Sequence, residues 1–86
     1  MPTLSTFFGI VIRMYYDDHG PPHFHAIYSE FEATIAIDAL AVLEGRLPRR
    51  ALELVLDWAE LHRPELRENW NRAEEHLALI RIDPLE

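Results

Sequence analysis

Apolar and polar residues alternate along residues 31–38, with Phe31, Ala33, Ile35 and Ile37 on the apolar side. A period of two residues is typical of a strand that buries one face. Residues 24–28 are rich in strand-forming types, and Ser29-Glu30 between the two segments suits a tight turn. The pattern therefore predicts an antiparallel hairpin with strands at 23–29 and 31–38.

A third strand is predicted over residues 7–16, a run rich in Ile, Val and Tyr and free of proline. Its even-numbered positions are all apolar, so they are assigned to the core face. A two-residue hairpin turn pairs Phe24 with Ile35, which places the neighbours of Phe24 on the opposite, outer face. The side chains expected together on that outer face are Arg13, Tyr15, His23, His25 and Thr34.

Two helices are predicted in the second half of the chain, at 48–62 and 65–76. Pro48 and Pro64 stand near their first positions, where proline is favoured. The apolar residues of the first helix sweep an arc of roughly 220°, which predicts that this helix is covered on two sides. The second helix has a narrower apolar stripe, which predicts that it packs against the rest of the protein on one side only.

These elements predict that residues 1–86 form a single domain with an α+β fold. The predicted architecture is a three-stranded antiparallel sheet with two helices packed on one face. Residues 42–46 are ambiguous between loop and a short extended piece, and the tail 79–82 could add a short edge strand. A chain of 86 residues has a thin core. A homo-oligomer or a complex with another protein is one way to complete such a core.

The charge balance argues against one class of function. The chain has a formal net charge of −7, and all 8 of its positive side chains are arginine. Non-specific nucleic-acid binding requires positive charge to neutralise phosphates, so this composition disfavours it. The absence of cysteine excludes disulfides and thiolate metal sites. No signal peptide or membrane-spanning run is recognisable, so the expected location is the cytoplasm.

Residues 17–28 hold the most unusual chemistry in the chain. Two aspartates and three of the 5 histidines lie close together there, namely Asp17, Asp18, His19, His23 and His25. Imidazole is the commonest metal ligand and changes charge near neutral pH. The run Gly20-Pro21-Pro22 stiffens the backbone, because each proline fixes φ and restricts the residue before it. The stretch therefore predicts a functional site without naming its reaction.

One interpretation of this stretch is a metal site. Histidines at positions i and i+2 of a strand project to the same side and can share an ion. The ligands would be His19, His23 and His25, with oxygen from Asp17 or Asp18. The identity of the metal, or of any other cofactor, is unknown at this level.

Three further interpretations stay open. In one, His23 and His25 perform acid–base catalysis without a metal, assisted by Arg13 and Tyr15 as in small ribonucleases. In another, the same outer face binds a partner protein. In the last, the histidines only cap the loop and bond to backbone groups.

The whole chain resembles a family of small bacterial and archaeal proteins, domain-of-unknown-function family 4160. The matching segments are Met1-Pro2-Thr3, Gly9 to Tyr15, Asp18 to His25, Val42 to Pro48, Trp58 to His62 and Asn69-Trp70. Members are often encoded beside a second small protein, in pairs suspected to be toxin–antitoxin modules. The resemblance therefore implies a protein partner from a neighbouring gene and adds weight to a ribonuclease-like toxin acting on RNA.

The leading hypothesis is a component of such a two-gene module with a catalytic site on its outer sheet face, formed by His23, His25, Arg13 and Tyr15. The alternatives are a non-catalytic protein-binding module and a small metal-binding protein that uses the histidine cluster. A catalytic site requires both histidines and Arg13 to converge on one accessible pocket. A binding module predicts instead an apolar patch at a sheet edge.

Overall fold

The structure, a computed structural model, describes residues 2–86. The strands are β1 (Thr3–Phe7), β2 (Ile10–Arg13), β3 (His23–Tyr28), β4 (Phe31–Ala36) and β5 (Val42–Arg46). The helices are α1 (Arg49–Leu61) and α2 (Arg63–Glu74). The strands form one antiparallel sheet in the order β1-β2-β3-β4-β5. The α+β class is confirmed, but the sheet has five strands and not the three predicted.

The predicted strand 7–16 is wrong at both ends, because β2 spans only Ile10–Arg13. Phe8 and Gly9 form a turn with φ of 49° and 79°, and they join β1 to β2. The alternation had assigned Phe8 to the core, whereas its side chain is 60% exposed. Gly9 supplies the positive φ that a tight hairpin needs. Ile10, Ile12 and Met14 are fully buried as predicted, whereas Tyr16 is only partly buried because it lies in the loop beyond β2.

The hairpin of β3 and β4 has the predicted register. Phe24 pairs with Ile35, Ala26 with Ala33, and Tyr28 with Phe31. On the other side of β3, Arg13 of β2 stands directly opposite His25. The ambiguous segment 42–46 is strand β5, whose Glu44 pairs with Thr34. Arg13, His25, Thr34 and Glu44 therefore form one row across the outer face of the sheet.

Both predicted helices form close to their predicted bounds and contribute to the core of the sheet. Trp58 of α1 is fully buried, with ring centroids 5.4 Å from Phe7 and 6.0 Å from Phe24. The buried stripe of α1 is narrower than the predicted arc, because Leu61 is 68% exposed. In residues 2–86, the helices are too short or too polar to cross a membrane.

The tail does not form the edge strand considered for 79–82, but it is fixed to the core. The Asn69 side chain donates to the Ile80 carbonyl at 2.8 Å and accepts from the Ile80 N–H at 2.7 Å. The Ile82 N–H donates to the carbonyl of Leu4 in β1 at 2.8 Å. The amide of Asn69 thus satisfies both backbone groups of Ile80 in the way that a neighbouring strand would.

Candidate functional site

Three side chains meet where the loop after β2 folds back over the start of β3. Asp18 lies in this loop, and His23 and His25 point from the same strand. Asp18 Oδ2 is 2.8 Å from His23 Nε2 and 3.1 Å from His25 Nε2. One ligand atom from each residue lies within 4.8 Å of the other two. This spacing suits a group of metal ligands.

His23 is held in one tautomer by the backbone. Its Nδ1 is 2.8 Å from the Pro21 carbonyl oxygen, which can only accept a hydrogen bond. Nδ1 must therefore carry a hydrogen, and in the neutral ring Nε2 presents its lone pair towards Asp18. The ring was expected on an open face, but His23 is only 5% exposed because it packs against Trp70, with the two ring centroids 5.1 Å apart.

His25 has the same arrangement with different partners. Its Nδ1 lies 3.3 Å from Glu32 Oε2 and 3.4 Å from the Thr34 hydroxyl. The Thr34 hydroxyl can donate or accept this hydrogen bond, and Glu32 lies within ion-pair distance and can only accept. When Nδ1 carries the hydrogen, the Nε2 lone pair faces Asp18. The Tyr15 ring meets the imidazole edge-on at 4.5 Å and limits its rotation. Metal-binding histidines commonly donate their second ring N–H to such a partner, which orients the ligand nitrogen.

Asp18 is kept as a carboxylate by its neighbours. Burial acts to raise the pKa of Asp18, but hydrogen bonds from His25 and His23 oppose it. The charge of His23 and the His19 backbone N–H add to these, and together they lower the pKa below its ordinary value. A divalent ion would take the place of the Nε2 protons in these contacts, because it needs the carboxylate form of aspartate and the neutral form of histidine.

The other residues predicted for the site lie around this group. His19 is exposed and contributes only its backbone N–H, 3.2 Å from Asp18 Oδ1. Of the two aspartates considered, Asp17 pairs instead with His76 at 3.1 Å. Arg13 lies on the β2 side of His25, and its buried Nε has no hydrogen-bond partner within residues 2–86.

An open cavity of about 300 Å³ adjoins the cluster on the side of β4 and β5. Its walls are Asp18, His19, Pro21, His23, His25, Thr34, Leu43 and Glu44. Arg13 stands on the opposite flank of His25, so the histidines and Arg13 do not converge on this cavity as the catalytic hypothesis required. Sequence reasoning missed Glu44 because the segment that carries it was ambiguous.

A family model described as "Domain of unknown function (DUF4160)" matches residues 9–71, which include the three clustered side chains. The chain belongs to the DUF4160 family. This membership confirms the resemblance noted from the motifs. Comparison with curated proteins and with solved structures found no match. Because the DUF4160 description assigns no activity, function has to be argued from the site.

Proposed function

We propose that this DUF4160 protein binds one divalent transition-metal ion through Asp18 Oδ2, His23 Nε2 and His25 Nε2. The observation that carries the proposal is the set of groups that surround the Nδ1 atoms of His23 and His25. His23 Nδ1 is bonded to the Pro21 carbonyl, and His25 Nδ1 lies beside the Thr34 hydroxyl and the Glu32 carboxylate, both of which can accept a hydrogen bond. With a hydrogen on each Nδ1, both Nε2 lone pairs and the Asp18 carboxylate point at one another, and a metal ion is a cation that all three can bind.

A metal explains this arrangement better than two protonated imidazoles do. The ring centroids of His23 and His25 are 5.2 Å apart, and His23 is almost fully buried. Two imidazolium ions so close together would repel, and a buried charge is expensive unless well compensated. Asp18 contacts both rings and Glu32 contacts His25, so the buried ring of His23 would share its counter-ion with His25.

The donor set restricts the metal. Two imidazole nitrogens and one carboxylate oxygen suit zinc, iron(II), cobalt or nickel, whereas calcium and magnesium prefer all-oxygen sites. Three protein ligands leave coordination positions free for water or substrate, as in catalytic sites. The cavity beside His25 gives those positions access to solvent. The ribonuclease-like alternative is less well supported, because Arg13 is not among the residues that line this cavity.

The test is metal content. Purified protein, and protein reloaded with Co²⁺ and dialysed, should retain about one equivalent by elemental analysis, and bound Co²⁺ should absorb in the visible region. Asp18→Asn and His25→Ala should retain less than about a tenth. His76→Ala is the matched control, since it removes an exposed histidine outside the cluster. Equal retention in His25→Ala and His76→Ala, or none in the wild type, would refute the proposal.

A second candidate function, partner binding, is favoured by strand β5. This edge strand is exposed along its whole length, and Val42 and Leu43 are 40% and 44% exposed. Unpaired edge strands accept a further strand from a partner. The partner would be the protein from the neighbouring gene that the family resemblance implies.

That candidate is tested by co-expression with the neighbouring gene product. Val42→Lys should abolish a complex formed along β5, because an edge lysine opposes strand addition. His25→Ala should leave the complex intact. A complex that survives Val42→Lys but not His25→Ala would place the interface at the metal cluster and refute edge pairing.

A further inference from the structure

The charged groups in the walls of the cavity beside the cluster determine which class of ligand can bind there. One wall consists of the proposed metal ligands, and the far wall is formed by Leu43 and Glu44 of β5. The pairing of His25 with Thr34 and of Thr34 with Glu44 fixes the positions of the two walls on one row of the sheet. Two strand spacings separate them, about 10 Å at the backbone.

Glu44 is the charged group of the far wall that has no partner. Within residues 2–86, its exposed carboxylate is engaged in neither a hydrogen bond nor an ion pair, whereas Glu32 and Asp18 are both bonded to histidines. The cavity walls include no arginine. An anionic group at the far wall would therefore meet the Glu44 carboxylate and find no positive side chain to bind it, whereas a cationic group would find a counter-ion.

The geometry points to a small organic ligand that coordinates the metal with one end and presents a cationic group to Glu44 with the other. This inference rests on the proposed metal site and adds the chemical class of what binds there. Leu43, between the two ends, provides apolar contact for a short carbon chain. The net charge of −7 acts in the same direction, since it attracts cations and repels phosphodiesters.

The experiment uses three hydroxamates that share a metal-binding head and differ in the charge of the tail. They are 4-aminobutanohydroxamic acid with a cationic tail, pentanohydroxamic acid with a neutral tail, and glutaric acid monohydroxamate with an anionic tail. Each is titrated into the Co²⁺-loaded protein and followed by the visible spectrum. The wild type should bind the cationic compound at least about 3-fold more tightly than the neutral one, and the anionic compound most weakly.

Glu44→Gln should bring the three affinities close together without changing Co²⁺ retention. Glu60→Gln is the matched control, because it removes an exposed carboxylate on α1, and it should keep the wild-type order. If Co²⁺ binds but the order is absent, reversed, or unaffected by Glu44→Gln, the inference is overturned and the metal site stands. If no Co²⁺ binds, the metal site itself is refuted, and the inference fails with it.

Discussion

At the scale of single residues, consecutive positions of β3 have opposite functions. Phe24 is fully buried in the core against Trp58, while His25, the next residue, contacts Asp18 on the outer face. Strand geometry enforces this division, because neighbouring side chains point to opposite sides of the sheet. The fold and the site can therefore be perturbed separately by substitutions that are adjacent in the chain.

The first prediction compares those two substitutions. Phe24→Ala should lower the free energy of unfolding by about 3–5 kcal/mol, because it leaves a cavity under Trp58. His25→Ala should lower it by about 1 kcal/mol, since the ring, 14% exposed, lies on the outer face and its removal leaves no cavity in the core. Urea unfolding of the metal-free proteins gives both values. Similar midpoints for the two variants would show that His25 is a core residue and would contradict the assigned faces.

His23 does not follow the simple expectation for an outer-face residue. Alternation alone predicts that its removal is harmless, but the ring is buried against Trp70 and bonded to the Pro21 carbonyl. His23→Ala would leave that carbonyl and the Trp70 face without partners. We therefore treat His25→Ala, and not His23→Ala, as the clean probe of the site.

At the scale of elements, the predictable parts are those whose side chains alternate or whose turns have recognisable residues. The β3–β4 register followed from the alternation up to Ile37 and from a two-residue turn at Ser29-Glu30. The β1–β2 turn could not be predicted from the alternation, because Phe8 adopts a positive φ of 49° inside an apolar run that resembles a strand. Strand β5 was ambiguous because all five of its residues are exposed, so no buried face marks it.

The candidate site was predictable to a similar extent. Strand periodicity places His23 and His25 at one end of β3, and both belong to the cluster. The choice between Asp17 and Asp18 depends on how a loop folds back, which no periodic pattern specifies. The position of Glu44 depends on the pairing of β5 with β4, so its place beside the cluster could be seen only in the structure.

The second prediction concerns the attachment of β5 to the sheet. Gly45 has φ of 75°, and an added Cβ would clash with the backbone oxygen of Glu32. Gly45→Ala should therefore lower the free energy of unfolding by about 3 kcal/mol or more, through backbone strain and a contact that cannot relax. Since β5 carries Leu43 and Glu44, the cavity should be disrupted as well.

Gly20→Ala is the matched control for this substitution. Gly20 also has a positive φ, 92°, but an added Cβ would meet nothing within 4 Å. The cost should be about 1–2 kcal/mol, from backbone strain alone. Thermal or urea unfolding compares the two variants. A Gly45→Ala protein as stable as Gly20→Ala would contradict the close approach of β5 to β4.

At the scale of the whole molecule, the proposed metal would join a loop to the sheet. Asp18 lies in the connection between β2 and β3, whereas both histidines belong to β3. A bound ion would therefore fix the path of this connection as well as occupy the site. In a chain of 86 residues with a thin core, such a cross-link contributes a large share of the total stability.

The last prediction follows from this linkage. A ligand that binds only the folded state at 100 times its Kd adds about 2.7 kcal/mol to the free energy of unfolding. For a domain of this size that corresponds to a rise in Tm of roughly 10–20 °C. Differential scanning calorimetry with Zn²⁺ or Co²⁺ should show this rise in the wild type and a shift below about 2 °C in His25→Ala. Mg²⁺ should have little effect on either protein, because it prefers oxygen ligands. An equal rise in the wild type and His25→Ala would mean that the ion stabilises the fold from somewhere other than Asp18, His23 and His25.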